Sequence, residues 1–126
     1  MNPLPQDDSQ GFFQAKVVGL IIDGKAEQAL QFLSDHYGVT VPSLRVGTVK
    51  RHRQVAAIYV VGEERIYLSK SEHLSNPFVI LHEFYHHLRA SQPKKKRQAE
   101  KRADQFALEF IREFVSRRDS TVGRNR

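Results

Sequence analysis

Cysteine is absent from this 126-residue chain, and that absence removes two kinds of site at once. No disulfide framework can brace the fold, and no thiolate can bind a metal. Any metal must therefore rest on imidazole and carboxylate groups. Apolar runs are short: none approaches the roughly 20 residues of a membrane-spanning helix. No charged-then-apolar leader precedes a small-residue cleavage site, and no internal repeat is present. With only 5 prolines and 7 glycines, structural breaks fall at few places. A composition 40% hydrophobic and 27% charged suits one domain, residues 1–126, with a modest core. The expectation is a soluble, intracellular protein in the cytoplasm.

Acidic residues are outnumbered, 14 against 20 Lys and Arg, for a formal net charge of +6. That balance raises nucleic acid as a partner. The excess sits in two places, Lys94-Lys95-Lys96-Arg97 and the tail arginines Arg117, Arg118, Arg124 and Arg126. No aromatic residues interleave with them as a base-stacking groove requires. A short basic run of this kind matches a nuclear-import pattern, but also a solvated helix start.

Residues 1–10 are polar with two prolines and read as a flexible lead-in. An almost continuous apolar run from Phe12 to Ile22 can begin a helix, and Asp23-Gly24 breaks it. Ala26, Ala29, Leu30, Phe32 and Leu33 recur at helical spacing, with Gly38 placed as a stop. His36, near that helix end, suits the C-terminal dipole. Three short strands follow, at residues 44–49, 55–61 and 65–69, with Gly62-Glu63-Glu64 as a turn. Consecutive short strands favour an antiparallel meander. Asn76 and Pro77 form an N-cap and first helical residue, and that helix is expected to run to about Ser91 ahead of Pro93. A last helix is expected from about Lys94 to Arg117, then a mobile tail, residues 118–126. The fold class is α+β.

The helix after Pro77 carries His82-Glu83-Phe84-Tyr85-His86. Residues i and i+4 lie on one helix face, so His82 and His86 can aim at one metal ion. Glu83 sits about 100° round the helix, beside the metal, where it can take a proton from water. Phe78, Leu81, Phe84, Tyr85 and Leu88 form the apolar stripe, and the histidines lie at its edge. Exposed surface histidines are the competing reading. On the next helix, Glu100 and Asp104 are one turn apart and fall within the apolar arc of Ala103, Phe106, Ala107 and Phe110. Carboxylates in such an arc are paired or bound to metal, and pairing with Lys or Arg is the alternative. With about one turn beyond His86 and two turns back, Glu100 reaches the level of His86.

His82-Glu83-x-x-His86 followed by Glu100-x-x-Ala103-Asp104 resembles the gluzincin metallopeptidases. Ala103-Asp104-Gln105-Phe106-Ala107 resembles their ImmA/IrrE-type branch, and the small chain resembles the minigluzincins. The match spans about residues 55–111. The resemblance implies a small zincin-like domain with one zinc ion, held by His82, His86 and Glu100, and Glu83 as general base. It implies that Asp104 accepts a hydrogen bond from a ligand histidine, and that an edge strand, here residues 55–61, holds extended substrate by backbone pairing. His87, Tyr59, Tyr67 and His73 are all candidates to stabilise the oxyanion. It also implies a peptide or protein substrate, with self-inhibition by a chain end, either the tail or Asp7-Asp8, or dimerisation through those ends.

Three functions compete. The first is zinc-dependent peptide hydrolysis, and the second is regulation through a partner such as a transcriptional repressor. The third is a basic nucleic-acid module with a structural zinc, and Glu83 argues against it, since a structural site has no use for a base beside the metal.

Overall fold

The computed structural model describes residues 8–47, 55–90 and 96–124. They form an α+β fold of four α-helices and one three-stranded mixed sheet. Helix α1 (Ser9–Ile22) resolves the ambiguous apolar run. Gln14, Val17, Val18 and Ile21 are buried at helical spacing, while Phe12 and Ile22 face outward. The helix starts inside what composition suggested was a flexible lead-in. Asp8, at its start, gives its carboxylate to Arg117 Nη2 at 2.6 Å instead of capping, so a contact far away in sequence orders this end. Helix α2 (Ala26–Tyr37) buries Ala26, Ala29, Leu30 and Leu33 and stops at Gly38, whose φ of 69° is the left-handed C-cap. His36 does more than meet the helix dipole: its ring stacks on Phe13 at 3.9 Å between centroids.

The sheet departs from the expected meander. Strands β1 (Ser43–Val46), β2 (Ala57–Val60) and β3 (Arg65–Leu68) stand in the order β1-β3-β2. The pair β2–β3 is antiparallel, joined through a 3-10 turn at Val61–Glu63 with Glu64 at φ 49°. The pair β1–β3 is parallel, with Ser43 opposite Arg65 and Val46 opposite Leu68. The burial pattern of β3 explains its central place. Ile66 and Leu68 are fully buried against the helices and Arg65 and Tyr67 face outward, so this strand has the best apolar face to cover. Residues 48–54, between β1 and β2, lie outside the described residues.

Helix α3 (Pro77–Leu88) begins as expected. The Asn76 side chain accepts from Val79 N at 3.3 Å, and Pro77 takes the first helical position. It ends at Leu88, three residues before the expected stop, with Arg89 N bonded to Tyr85 O. Ile80, Leu81 and Phe84 are fully buried. Helix α4 (Lys96–Arg124) is longer than expected. It packs along α1 and α3, burying Ala103, Ala107 and Phe110.

At 1.5 Å per residue, Arg124 at the end of α4 lies about 36 Å along the axis from Glu100. Asp8 is tied to Arg117, about 25 Å along the same axis from Glu100; Asp7 and the last two residues, to which the expectation of a plugging chain end refers, lie outside the described residues. No described helix is long and apolar enough to cross a membrane.

Candidate metal centre

Two helices build the site. On α3 the fully buried Leu81 and Phe84 set the rotation, which leaves His82 and His86 half-buried on one face, one turn apart. On α4 the buried face begins with two alanines, Ala103 and Ala107, whose small side chains permit close helix approach. Glu100 and Asp104 flank that face and reach across to the histidines. Their side chains are 49% and 50% exposed, so they sit at the rim of the apolar face and not within it.

The geometry is tight. Glu100 Oε1 is 3.0 Å from His82 Nε2, and Glu100 Oε2 is 3.0 Å from His86 Nε2. The two Nε2 atoms are 3.2 Å apart. One ligand atom from each of the three residues lies within 4.8 Å of the others, so the group could hold a metal ion. His82 Nδ1 is 2.8 Å from Asp104 Oδ1. A carboxylate accepts only, so Nδ1 carries the proton and Nε2 of neutral His82 presents a lone pair. That lone pair faces a carboxylate oxygen at 3.0 Å, which is repulsive unless a cation or a further proton lies between. The donor set fits a metal. Ligands about 2.0–2.1 Å from a tetrahedral centre lie about 3.3 Å from one another, close to the observed 3.0–3.2 Å. Burial lowers the pKa of His86, against the opposing effect of Glu100, which favours the neutral, ligating form.

Glu83 differs from the other carboxylates. It is only 8% exposed, and its Oε2 lies 4.0 Å from His82 Nε2. Burial, above all, pushes its pKa up to about 7, opposed by His82, reinforced by Glu100 and opposed again by the backbone N–H of Tyr59. That last contact ties Glu83 to the sheet. Ser69 N bonds to Ala56 O, so the polar groups of Ala56 face β3. By strand alternation those of Ala57 and Tyr59 face the edge of β2 that has no partner strand among the described residues. Glu83 thus sits against an edge of β2 that has no partner strand among the described residues, and beside three convergent ligand-type atoms.

Scans of family models, of curated proteins and of solved structures find no match to this chain.

Of the four oxyanion candidates, three are engaged elsewhere. Tyr59 Oη is 2.6 Å from His87 Nδ1, and His87 Nε2 is 2.7 Å from Thr40 O. A carbonyl can only accept, so His87 carries its proton on Nε2 and the Tyr59 hydroxyl donates to Nδ1. Both rings are thereby used in clamping β2 to α3. Tyr67 lies on the outer face of the sheet, its hydroxyl donating to Glu63 at 2.5 Å and accepting from Arg65 at 3.3 Å. His73 is half-buried in the 3-10 turn Ser71–Ser75 before α3, and no contact among the described residues ties it to the cluster. The clamp joins residues 28 and 47 positions apart, and no local pattern in the sequence signals it. A cavity of about 450 Å³ between Gly24–Gln28 and β1 contains none of these groups.

Proposed function

We propose that this protein is a zinc-dependent metallopeptidase. The observation that carries the reading is the placement of Glu83. It is a buried carboxylate with a pKa near 7, 4.0 Å from a ligand-type histidine nitrogen and bonded to that edge of β2. A metal held only for structure gains nothing from such a base, and an exposed ion-pair network does not bury one.

His82, His86 and Glu100 would hold the zinc, and Asp104 would fix the ring of His82 with Nε2 toward it. When bound, zinc supplies Lewis acidity that polarises a peptide carbonyl and acidifies water. The chain's own groups do the rest. An extended peptide pairs with the outward groups of Ala57 and the Tyr59 carbonyl, the Tyr59 N–H being held by Glu83, which places its backbone alongside Glu83. Glu83 takes one proton from the attacking water as the new C–O bond forms, and delivers it to the amine nitrogen as the C–N bond breaks. A pKa near neutrality suits a group that must both accept and release a proton. The test is digestion of a random peptide mixture by zinc-loaded protein, with fragments read by mass spectrometry. Glu83→Ala should retain zinc and lose turnover. Equal turnover in both proteins would defeat the proposal, as would no turnover in either at full zinc loading.

A further inference from the structure

Beyond His87, at the C-terminal end of α3, a cavity of about 380 Å³ opens between the helix, the end of β2 and the start of β1. The Tyr59–His87 pair lines it, so it is continuous with the clamp that positions β2 beside Glu83. Val39, Val61 and Leu88 give apolar walls. Val61, 59% exposed, marks its open side. One charged side chain lines it, that of Glu64, whose Oε1 accepts from Thr40 Oγ1 at 2.5 Å. The other oxygen of Glu64 has no partner among the described residues. Its charge reaches into the cavity: the Tyr59 hydroxyl is held above its ordinary range first by burial and then by Glu64. The end of α3 adds the negative pole of a helix at the same place.

We infer that this cavity is a subsite for a lysine or arginine side chain of the bound peptide. The inference rests on the peptidase reading for the peptide's course along β2. An aliphatic stem fits against Val61 and Leu88, and the cationic head meets the free oxygen of Glu64 and the carbonyl end of α3. Position fits as well. Ala90, which also lines the cavity, lies four residues beyond His86, about 6 Å along the axis, or about two residues of extended peptide. The selected residue therefore lies about two positions from the bond that is cut. Because the whole chain is basic, with net charge +6, a preference for cationic peptides must come from a local acid and not from long-range attraction.

The experiment separates this subsite from catalysis by measuring binding. Fluorescence anisotropy is read for zinc-loaded Glu83→Ala with labelled hexapeptides in which one Lys or one Met is moved through a neutral sequence. At one position Lys should bind about fivefold tighter than Met, the scale of a half-exposed ion pair. That gain should vanish when Glu64→Gln is added, and Glu64→Lys should turn the preference toward a glutamate peptide. No position favouring Lys, or a Lys preference that survives Glu64→Gln, overturns the inference. Digestion of the same peptides by protein with intact Glu83 reads the other claim. A Glu64-dependent Lys preference without cleavage keeps the subsite and removes the peptidase reading. Cleavage without such a preference does the reverse.

Discussion

Replacing Glu83 by Gln should make the metal-free protein more stable at pH 8 while changing little at pH 4.5. In the fold the carboxyl is buried and its pKa rises from 4.5 to about 7. Between those values the native state holds a proton that the unfolded chain has released, so stability falls as pH rises and the loss is complete above pH 7. At 1.36 kcal/mol per pKa unit, a shift of this size amounts to about 3 kcal/mol. This is a large part of the roughly 5–15 kcal/mol that holds a small domain together. Glutamine keeps an acceptor for the Tyr59 N–H and carries no charge to desolvate. The assay is urea unfolding of both proteins in the presence of a chelator, at a series of pH values from 4.5 to 8. Subtracting one curve from the other removes the remaining titrating groups, and the difference should grow by about 3 kcal/mol toward pH 8. Parallel curves across the range would refute the burial argument, and with it the picture of Glu83 as a poised base.

Three further outcomes follow from particular contacts. Asp104→Asn should weaken zinc affinity about 10- to 100-fold in a competition titration against a chromophoric chelator; unchanged affinity would mean that the 2.8 Å contact with His82 does not orient the ring. Tyr59→Phe removes the proton offered to His87 Nδ1 and should cost about 1–3 kcal/mol in a thermal or urea melt; a neutral result would contradict the clamp. Gly38→Ala, at φ 69°, should destabilise by about 1 kcal/mol without moving zinc affinity, and a change in affinity would show that α2 is coupled to the site.

Local structure is legible in the sequence where one residue has one conformational job. Gly38 ends α2, Asn76 and Pro77 start α3, and Asp23-Gly24 closes α1. The helix period also placed His82 and His86 at the edge of the apolar stripe, where both are half-buried. Pairing over distance was not legible. Three short strands in a row carry no mark of which one is central, and β3 takes that place because Ile66 and Leu68 both need covering. The polar segment from Arg118 to Arg124 has no core-forming pattern, yet it continues α4 because nothing in it terminates a helix before Gly123. Tyr59 and His87 have the chemistry of oxyanion donors, and only the folded chain shows each occupying the other. Glu100 and Asp104 show the limit of the helical wheel. Their place within an apolar arc suggested burial, whereas the structure sets them half-exposed at its rim, facing the histidines.

The most direct test of the account is peptide turnover measured against added zinc in protein first stripped of metal. If His82, His86 and Glu100 form one site that serves Glu83, turnover should rise linearly with zinc and level off at one equivalent per chain. Turnover by the stripped protein that zinc does not raise, or one zinc bound per chain with no peptide cleaved, would contradict it.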